Sequence, residues 1–336
     1  MVLTHILVIG LCLILYGLYV TYNSHRRLAK IKFKKWWKEP VEETRKRTRT
    51  YFYALFEDII DSYDEVHIYS IFKGDLPLKD AKDPRILYVQ YSGEPKYNEI
   101  ELFDINIIPE EADTDTYTDT DTYTGTGTAI VPVPHINMQI WCNQIDTTSL
   151  TLKRRLQGSP SNRKFCLFAV SNKTNEDRNR FFGELSNYKR VDSCGKFMNN
   201  LGYNCPGSHD SKEYCQFISQ YKFMICFENN SMTNYLTEKL LNAYDCKTIP
   251  IYWGCPNLGD YVNLSAILYL KSDYTAYDVS KLITEIKRLD NDDEAYKAKY
   301  ESIFFKDGKV PDSFQIPLIK DKIRSNLDIK NEQPLL

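Results

Sequence analysis

The stretch that decides the fold is Lys222–Gly254, whose sequence is KFMICFENNSMTNYLTEKLLNAYDCKTIPIYWG. It begins within Tyr221–Phe227, a run of aromatic and branched apolar residues that is long enough for a buried strand and too short for a helix. Ile249–Trp253 has the same character and predicts a second buried strand. Between the two lie a polar loop, Glu228–Asn234, and a segment with helical periodicity. The stretch therefore predicts the strand–loop–helix–strand order of an α/β domain.

The helical segment is indicated by apolar residues that recur three or four positions apart, with Thr233 or Asn234 before it as a candidate cap. These apolar residues are Leu236, Leu240, Leu241 and Tyr244. A loop that joins a buried strand to a helix start is where α/β folds bind phosphate-bearing ligands, because free N–H groups and the helix dipole meet there. The loop before this helix is therefore the first candidate binding site.

Three short motifs in this stretch, FENN, YLTEK and PIYWG, follow one another in that order. They resemble the signature of the α-1,3/4-fucosyltransferases, glycosyltransferase family 10. A generic βαβ unit would explain the periodicity, but it would not explain all three motifs at this spacing. The resemblance covers most of Leu87–Phe305.

That resemblance implies a GT-B-like α/β fold, in which two Rossmann-like domains face a cleft. It also implies an inverting enzyme that moves fucose from GDP-β-L-fucose to a hydroxyl of an N-acetylglucosamine-type glycan acceptor, with α-1,3 linkage favoured. The chain has 336 residues and a net charge of −2, which fits two domains and gives no sign of a nucleic-acid partner.

The N-terminus carries an apolar segment, Val2–Tyr22, that is long enough to span a bilayer as a helix. It has no small-residue cleavage site, so we expect an uncleaved anchor that attaches the protein to the bilayer through residues 2–22. The expected organisation is an anchor (1–24), a basic stem (25–50), an N-terminal acceptor-side domain (51–150), a C-terminal GDP-sugar-binding domain (160–305) and a loosely held tail (306–336).

The side of the membrane is left open by the sequence. The resemblance implies a Golgi-type membrane, whereas the basic flank after the apolar segment favours a cytosol-facing catalytic domain. Two glycosylation sequons, at Asn172 and Asn229, point the same way, because a glycan there would obstruct the donor site. A third sequon is at Asn263. The nine cysteines neither require nor exclude disulfides.

A two-residue repeat, DTDTYTDTDTYTGTGT, occupies Asp113–Thr128. It has no apolar face, so we expect a disordered surface loop. Its DTD triplets imitate the Asp-x-Asp metal motif of other glycosyltransferases, but in a repeat they follow from composition. No Cys or His spacing of the zinc kind is present either, and we expect chemistry that requires neither metal nor cofactor.

Glu94 is the candidate catalytic base. Arg85–Tyr91 predicts a strand that runs into a Ser-Gly-Glu-Pro turn, which places Glu94 at the carboxyl edge of the sheet, where α/β clefts open. From the residues alone, a solvated turn glutamate is the simpler interpretation. The resemblance implies the catalytic one, since a Gly-Glu pair ends the equivalent strand in bacterial members of the family and there supplies the general base.

Arg178 is the candidate diphosphate-binding residue. It lies in the first turn of a helix predicted to start near Asn175, where a cation opposes the helix dipole and is favourable only if it faces an anion. An ordinary exposed arginine is the alternative, and the resemblance favours the diphosphate role. Tyr203, which follows a Gly-Lys pair and an Asn-rich turn, is a candidate to stack near the nucleotide, although a turn tyrosine often only packs.

The remaining donor-site candidates come from the opening stretch. Glu238 can accept hydrogen bonds from the ribose hydroxyls, and Lys239 can join Arg178 in neutralising the departing diphosphate. Asn229 and Tyr235 would hold the donor by hydrogen bonds, with Tyr235 and Lys239 on one helix face.

Two other functions compete with this one. The first is a transferase of the same fold that uses another nucleotide sugar, since no donor motif visibly recognises the fucose methyl group. The second is an inactive, membrane-tethered glycan-binding protein. The presence of all the charged candidates together argues against the second.

Overall fold

The computed structural model describes residues 21–36, 42–71, 75–94, 96–109, 128–209 and 211–332. All but the last two residues of the predicted anchor Val2–Tyr22 lie outside this part of the chain, as does the Asp/Thr repeat except for Thr128. No helix within the described residues is long and apolar enough to cross a bilayer.

The N-terminal domain is built on a five-stranded parallel sheet whose order, β1-β2-β3-β4-β5, follows the chain. The strands are β1 (Ile31–Lys35), β2 (Glu65–Tyr69), β3 (Ile86–Tyr91), β4 (Ile105–Ile108) and β5 (Ala129–Pro132). Among the described residues, four helices accompany the sheet: α1, described over 21–28, α2 (Glu42–Phe56), α3 (Ile136–Cys142) and α9 (Ile316–Glu332). Because the strand order never reverses, this sheet differs from the doubly wound order of a Rossmann domain.

The C-terminal domain has a second five-stranded parallel sheet, with the order β10-β9-β8-β6-β7. Its strands are β6 (Lys164–Phe168), β7 (Val191–Ser193), β8 (Tyr221–Ile225), β9 (Ile249–Tyr252) and β10 (Leu268–Tyr269). Its helices are α4 (Glu176–Ser186), α5 (Lys212–Ile218), α6 (Glu238–Asp245), α7 (Ala276–Asn291) and α8 (Asp293–Tyr300). The order reverses between β6 and β8, and a doubly wound sheet opens a ligand crevice at the carboxyl ends of such a pair.

Two of the expected segment boundaries differ from the structure. The basic stem is not a separate segment, because residues 31–35 form edge strand β1 and Glu42–Phe56 forms α2. In β1, Ile31 is buried and Phe33 packs on the core, whereas Lys32 and Lys34 alternate with them. This alternation of apolar and polar residues is typical of a half-buried strand, but the many lysines made the segment look like a basic stem in the sequence.

The C-terminal tail is also not loosely held. Residues 316–332 form α9, which packs against α2 and β5 of the N-terminal domain. Ile319, Ile323 and Leu327 are buried there, at the spacing of one helix face. The chain therefore returns to its first domain at its end.

The helix after β8 begins later than the sequence predicts. Thr237 caps α6 and Glu238 is its first residue, so neither Thr233 nor Asn234 is the cap. Asn234 instead has a positive φ of 58° in the preceding loop. Tyr235 consequently precedes the helix and does not share a helix face with Lys239.

Two disulfides lie in the C-terminal domain, Cys194–Cys205 and Cys215–Cys246. The first closes the loop after β7, and the second joins α5 to the residue that follows α6. Four further cysteines of the described chain are buried: Cys142, Cys166, Cys226 and Cys255.

Candidate active site

Arg178 follows β6, one of the two strands at which the sheet order reverses. Asn175 caps α4 by accepting a hydrogen bond from the backbone N–H of Arg178, as the sequence predicts for this helix start. The Arg178 side chain is 1% exposed. Its guanidinium donates to Asn229 Oδ1 at 3.2 Å and to the Asn172 carbonyl at 2.6 Å. These bonds fix the cation in the crevice between the β6 and β8 loops.

One of the three guanidinium nitrogens of Arg178 has no hydrogen-bond partner among the described residues. Its Nε is buried and makes no hydrogen bond to any of the residues that the structure describes. Burial lowers the pKa of Arg178 from its ordinary value, and the charge of Glu228 opposes that shift. An arginine stays protonated under any such shift, so a fixed positive charge with a spare donor lies at the ligand end of this sheet.

Lys239 is held by a buried carboxylate that the sequence analysis did not assign to the site. Glu228, three residues after the end of β8, is fully buried, and Lys239 Nζ lies 3.1 Å from its Oε2. Thr237 donates to the same carboxylate from its backbone N–H at 2.9 Å and from its hydroxyl at 2.7 Å to Oε2. Tyr252 donates at 3.3 Å to Oε1. Four donors therefore stabilise one buried carboxylate, which in turn orients the lysine.

The charge state of Lys239 follows from its neighbours. Burial opposes the ammonium charge, but the carboxylates of Glu228 and Glu238 outweigh burial and hold the pKa of Lys239 above its ordinary value. Lys239 Nζ lies 3.0 Å from Thr237 Oγ1 and 3.6 Å from Glu238 Oε1. Burial also opposes the charge of Glu238, yet the ammonium of Lys239 outweighs burial, and the pKa of Glu238 falls to about 2. Both side chains are ionised at neutral pH.

Glu94 approaches these groups from the other domain. It follows β3 and is half-buried, and Tyr235 donates from its hydroxyl to Glu94 Oε2 across the two domains at 3.4 Å. Burial raises the pKa of Glu94, while Lys239 and the Tyr235 hydrogen bond act in the opposite direction. A carboxylate with a raised pKa beside a cleft is the usual form of a general base.

The predicted site residues fall into two groups. The structure brings together six of them: Glu94, Arg178, Asn229, Tyr235, Glu238 and Lys239. Direct contacts join them in three pairs, Arg178–Asn229, Tyr235–Glu94 and Lys239–Glu238. Electrostatic interactions of Glu94 with Lys239 and of Arg178 with Tyr235 connect the pairs. Tyr203 stands apart on the loop closed by the Cys194–Cys205 disulfide. It is 51% exposed, and its ring packs at 6.3 Å on Phe217 of α5.

Glu228 and Thr237 are the members that sequence reasoning missed. Both lie inside the motifs that carried the resemblance, FENN and YLTEK. From the sequence, a glutamate in the polar loop after a strand is expected to be exposed to solvent. Glu228 could have been identified only by asking which carboxylate pairs with Lys239.

Cavity size does not identify this site. A cavity of about 1210 Å³ lies between α2, α3 and the segment before α9, and its lining includes Trp141 and Phe314. None of the clustered candidate residues lines it. The cluster is identified by its charges and by its position at the strand-order reversal.

Two parallel α/β domains with a charged cluster between them define a GT-B-like glycosyltransferase fold. Residues 159–302 match the family described as glycosyltransferase family 10 (fucosyltransferase) C-term. The chain is 36% identical over 140 residues to an alpha-(1,3)-fucosyltransferase of Helicobacter pylori and 34% identical over 131 residues to the human GDP-fucose protein O-fucosyltransferase 3. These alignments cover 42% and 37% of this chain but only 27% and 26% of the relatives.

The whole fold has counterparts among solved structures. A crystal structure of an alpha1,3-fucosyltransferase superposes with a TM-score of 0.65 and 22% identity, covering 91% of this chain and 92% of that one. The structure of an alpha1,3-fucosyltransferase with GDP-fucose gives a TM-score of 0.64, also at 22% identity. The superposition extends over both domains.

Proposed function

We propose that this protein is an inverting fucosyltransferase that moves fucose from GDP-β-L-fucose to a hydroxyl of a glycan acceptor. The observation that carries the proposal is the meeting of Glu94 from one domain with Tyr235 of the other, beside Lys239 and Arg178. The match of residues 159–302 to the fucosyltransferase family and the names of the relatives support the choice of donor.

The donor would bind at the carboxyl edge of the second sheet. Arg178 has a free buried Nε–H, and Lys239 has a third ammonium hydrogen beyond those used by Glu228 and Thr237. Both can bond the diphosphate, with Asn229 and Tyr235 as further polar contacts and Glu238 as the acceptor for the ribose hydroxyls. Tyr203, which is exposed on the loop closed by the Cys194–Cys205 disulfide, remains a proposed contact to the nucleotide.

The transfer would be a single displacement. The acceptor oxygen attacks the anomeric carbon while the bond from that carbon to the β-phosphate oxygen breaks, and Glu94 takes the proton of the acceptor hydroxyl. GDP leaves with the electron pair, and the fixed charges of Arg178 and Lys239 stabilise it. Preorganised charges of this kind reduce the barrier because they need no reorientation during the reaction. We propose that no divalent ion is required, since two cations already face the leaving group.

The acceptor is the least constrained part of the proposal. We favour an N-acetylglucosamine-type glycan with α-1,3 linkage, as the family resemblance implies. The name of the human relative adds a protein hydroxyl as a second acceptor class. A transferase using another nucleotide sugar and an inactive glycan-binding protein are the alternatives.

One assay separates these functions. The full-length protein is incubated with GDP-fucose and a panel of glycan and protein acceptors, with and without EDTA, and both GDP release and the product are measured. We expect transfer that EDTA does not reduce and a product whose anomeric configuration is inverted. If another nucleotide sugar is turned over faster than GDP-fucose, that sugar nucleotide is the donor and the assignment of GDP-fucose is wrong. Glycan binding without GDP release would show that the protein is not a transferase.

We further propose that residues 2–22 anchor the protein in a Golgi-type membrane with its catalytic domains on the lumenal side. This reverses the side favoured by the flanking charge, because disulfides such as Cys194–Cys205 and Cys215–Cys246 persist in oxidising compartments. The sequon at Asn229 does not oppose it, since the Asn229 side chain is bonded to Arg178 and half-buried. Protease digestion of sealed microsomes tests the orientation, and a digested catalytic region would contradict it.

A further inference from the structure

His135 is a buried histidine next to the candidate base that the mechanism above does not use. It immediately precedes α3, and both of its ring nitrogens have partners. Nδ1 lies 2.8 Å from the Tyr91 hydroxyl, and Nε2 lies 3.2 Å from the side-chain nitrogen of Gln139. Burial lowers the pKa of His135 to about 4, so the imidazole is neutral at neutral pH. With both nitrogens occupied, this ring is not placed to take a proton from a substrate.

The ring lies directly against the backbone that carries Glu94. A methyl group added at Gly93 would come within 2.4 Å of His135 Nδ1 and 2.5 Å of its Cε1, so only a glycine fits between the strand end and the imidazole. Ser92 holds the same turn from within, because its hydroxyl oxygen lies 2.9 Å from the Glu94 carbonyl oxygen and 2.5 Å from that of Lys96, and its one hydrogen can bond either of them. The position of Glu94 is therefore set by Ser92 and by His135.

The same end of α3 also contacts the donor-side domain. The backbone N–H of Ile136 donates to the carbonyl of Leu236 at 2.8 Å. Leu236 follows Tyr235, whose hydroxyl reaches Glu94. His135 and Ile136, two consecutive residues, thus connect the loop that carries the base to the loop that carries a donor-site residue.

We propose that His135 is a positioning residue for the transfer, whose imidazole sets the Gly93–Glu94 backbone at a fixed distance from the donor loop. The inference rests on the proposed function. An error of about 1 Å in the position of a reacting group can cost on the order of 10²-fold in rate. Loss of the imidazole should therefore lower turnover while leaving GDP affinity unchanged, since neither ring nitrogen is bonded to a donor-site residue.

A double-mutant cycle at the Gly93–His135 contact tests this directly. Gly93→Ala alone introduces a methyl group into space filled by the ring, and we expect kcat to fall about 10- to 100-fold. His135→Ala alone should also lower kcat, by removing the support. In the combined variant the new methyl group enters the vacated space, so kcat should exceed the product of the two single effects by about tenfold or more. Gly183→Ala is the matched control, because no atom lies within 4 Å of a methyl group built at Gly183.

Three results would overturn the proposal: wild-type kcat in His135→Ala, independent effects of the two substitutions, or a loss of GDP affinity in His135→Ala as large as its loss of kcat. The last would show a general structural role. His135→Asn, whose amide can retain the bond to the Tyr91 hydroxyl, should retain more turnover than His135→Ala. If the wild-type protein transfers no fucose, the proposed function fails separately. The melting temperatures of wild type, Gly93→Ala, His135→Ala and the double variant then test the Gly93–His135 contact. Additive losses of stability would overturn the proposal.

Discussion

Tyr235 and Glu94 lie 141 residues apart in different domains, and the phenol oxygen of Tyr235 is 3.4 Å from Oε2 of Glu94. The bond joins the candidate base to the loop that carries the candidate donor residues. Since a hydrogen bond to the ionised carboxylate favours the charged form, Tyr235 keeps the pKa of Glu94 lower than burial alone would.

The first prediction concerns this bond and the pH dependence of activity. A general base must be deprotonated, so kcat should fall as the pH drops through the pKa of Glu94. Tyr235→Phe removes an interaction that lowers this pKa, and the acid limb of the profile should move to higher pH. The measurement is the kcat–pH profile, with Tyr277→Phe, 75% exposed on α7, as the control. A limb that stays in place or moves to lower pH would contradict the assignment.

The second prediction concerns the base itself. Glu94→Gln keeps the size of the side chain but cannot accept a proton, so kcat should fall about 10²- to 10⁴-fold. Arg178 and Lys239 are unaltered by the change, and GDP should bind with nearly wild-type affinity. Steady-state kinetics measure the fall in kcat, and calorimetric titration measures the affinity for GDP. Near-wild-type turnover would mean that another residue is the base.

The third prediction concerns the buried pair of Glu228 and Lys239. Lys239→Ala leaves the carboxylate of Glu228 buried without its cation, which should lower the melting temperature. Adding Glu228→Gln removes the unpaired charge and should recover about half of that loss or more. Thermal unfolding of the two variants decides the matter. If the double variant is less stable than Lys239→Ala alone, the loss of stability in Lys239→Ala does not come from an unpaired charge on Glu228.

The fourth prediction concerns the C-terminal helix. Ile323 of α9 is buried against the N-terminal domain, so Ile323→Ala should reduce the free energy of unfolding by about 2–5 kcal/mol. Leu318, in the same helix, is 38% exposed, and Leu318→Ala should cost far less. Denaturant unfolding compares the two. Equal costs would mean that α9 does not pack as described.

The sequence predicts the strands that are buried on both faces. The runs Arg85–Tyr91, Tyr221–Phe227 and Ile249–Trp253 all contain strands, because a short, mostly apolar run bounded by polar residues is typical of a buried strand. Strand β1 and helix α9 were missed since charged residues occupy their exposed faces. Strand order is not readable from local pattern at all, and the reversal between β6 and β8 emerges only from the structure.

The sequence predicts the site residues that lie within motifs resembling those of the family. Arg178, Asn229, Glu238 and Lys239 come from local motifs. They form two contacting pairs, and both Arg178 and Lys239 interact with Glu228. The contact between Glu94 and Tyr235 depends on how two domains pack, and no local pattern encodes it. The sequence could not predict a role for His135, because a single histidine before a short helix indicates no function. Its contact with Gly93 is visible only in the structure.

The central claim is that fixed cations, rather than a divalent ion, take up the charge of the departing GDP. Calorimetric titration of GDP in EDTA, with wild type, Lys239→Ala and the exposed control Lys281→Ala, tests it most directly. A charged hydrogen bond contributes about 1.5–3 kcal/mol, so Lys239→Ala should bind GDP roughly 10- to 100-fold more weakly. Wild type and Lys281→Ala should bind equally well with and without EDTA. An unchanged GDP affinity in Lys239→Ala, or a wild-type affinity that vanishes in EDTA, would contradict the account.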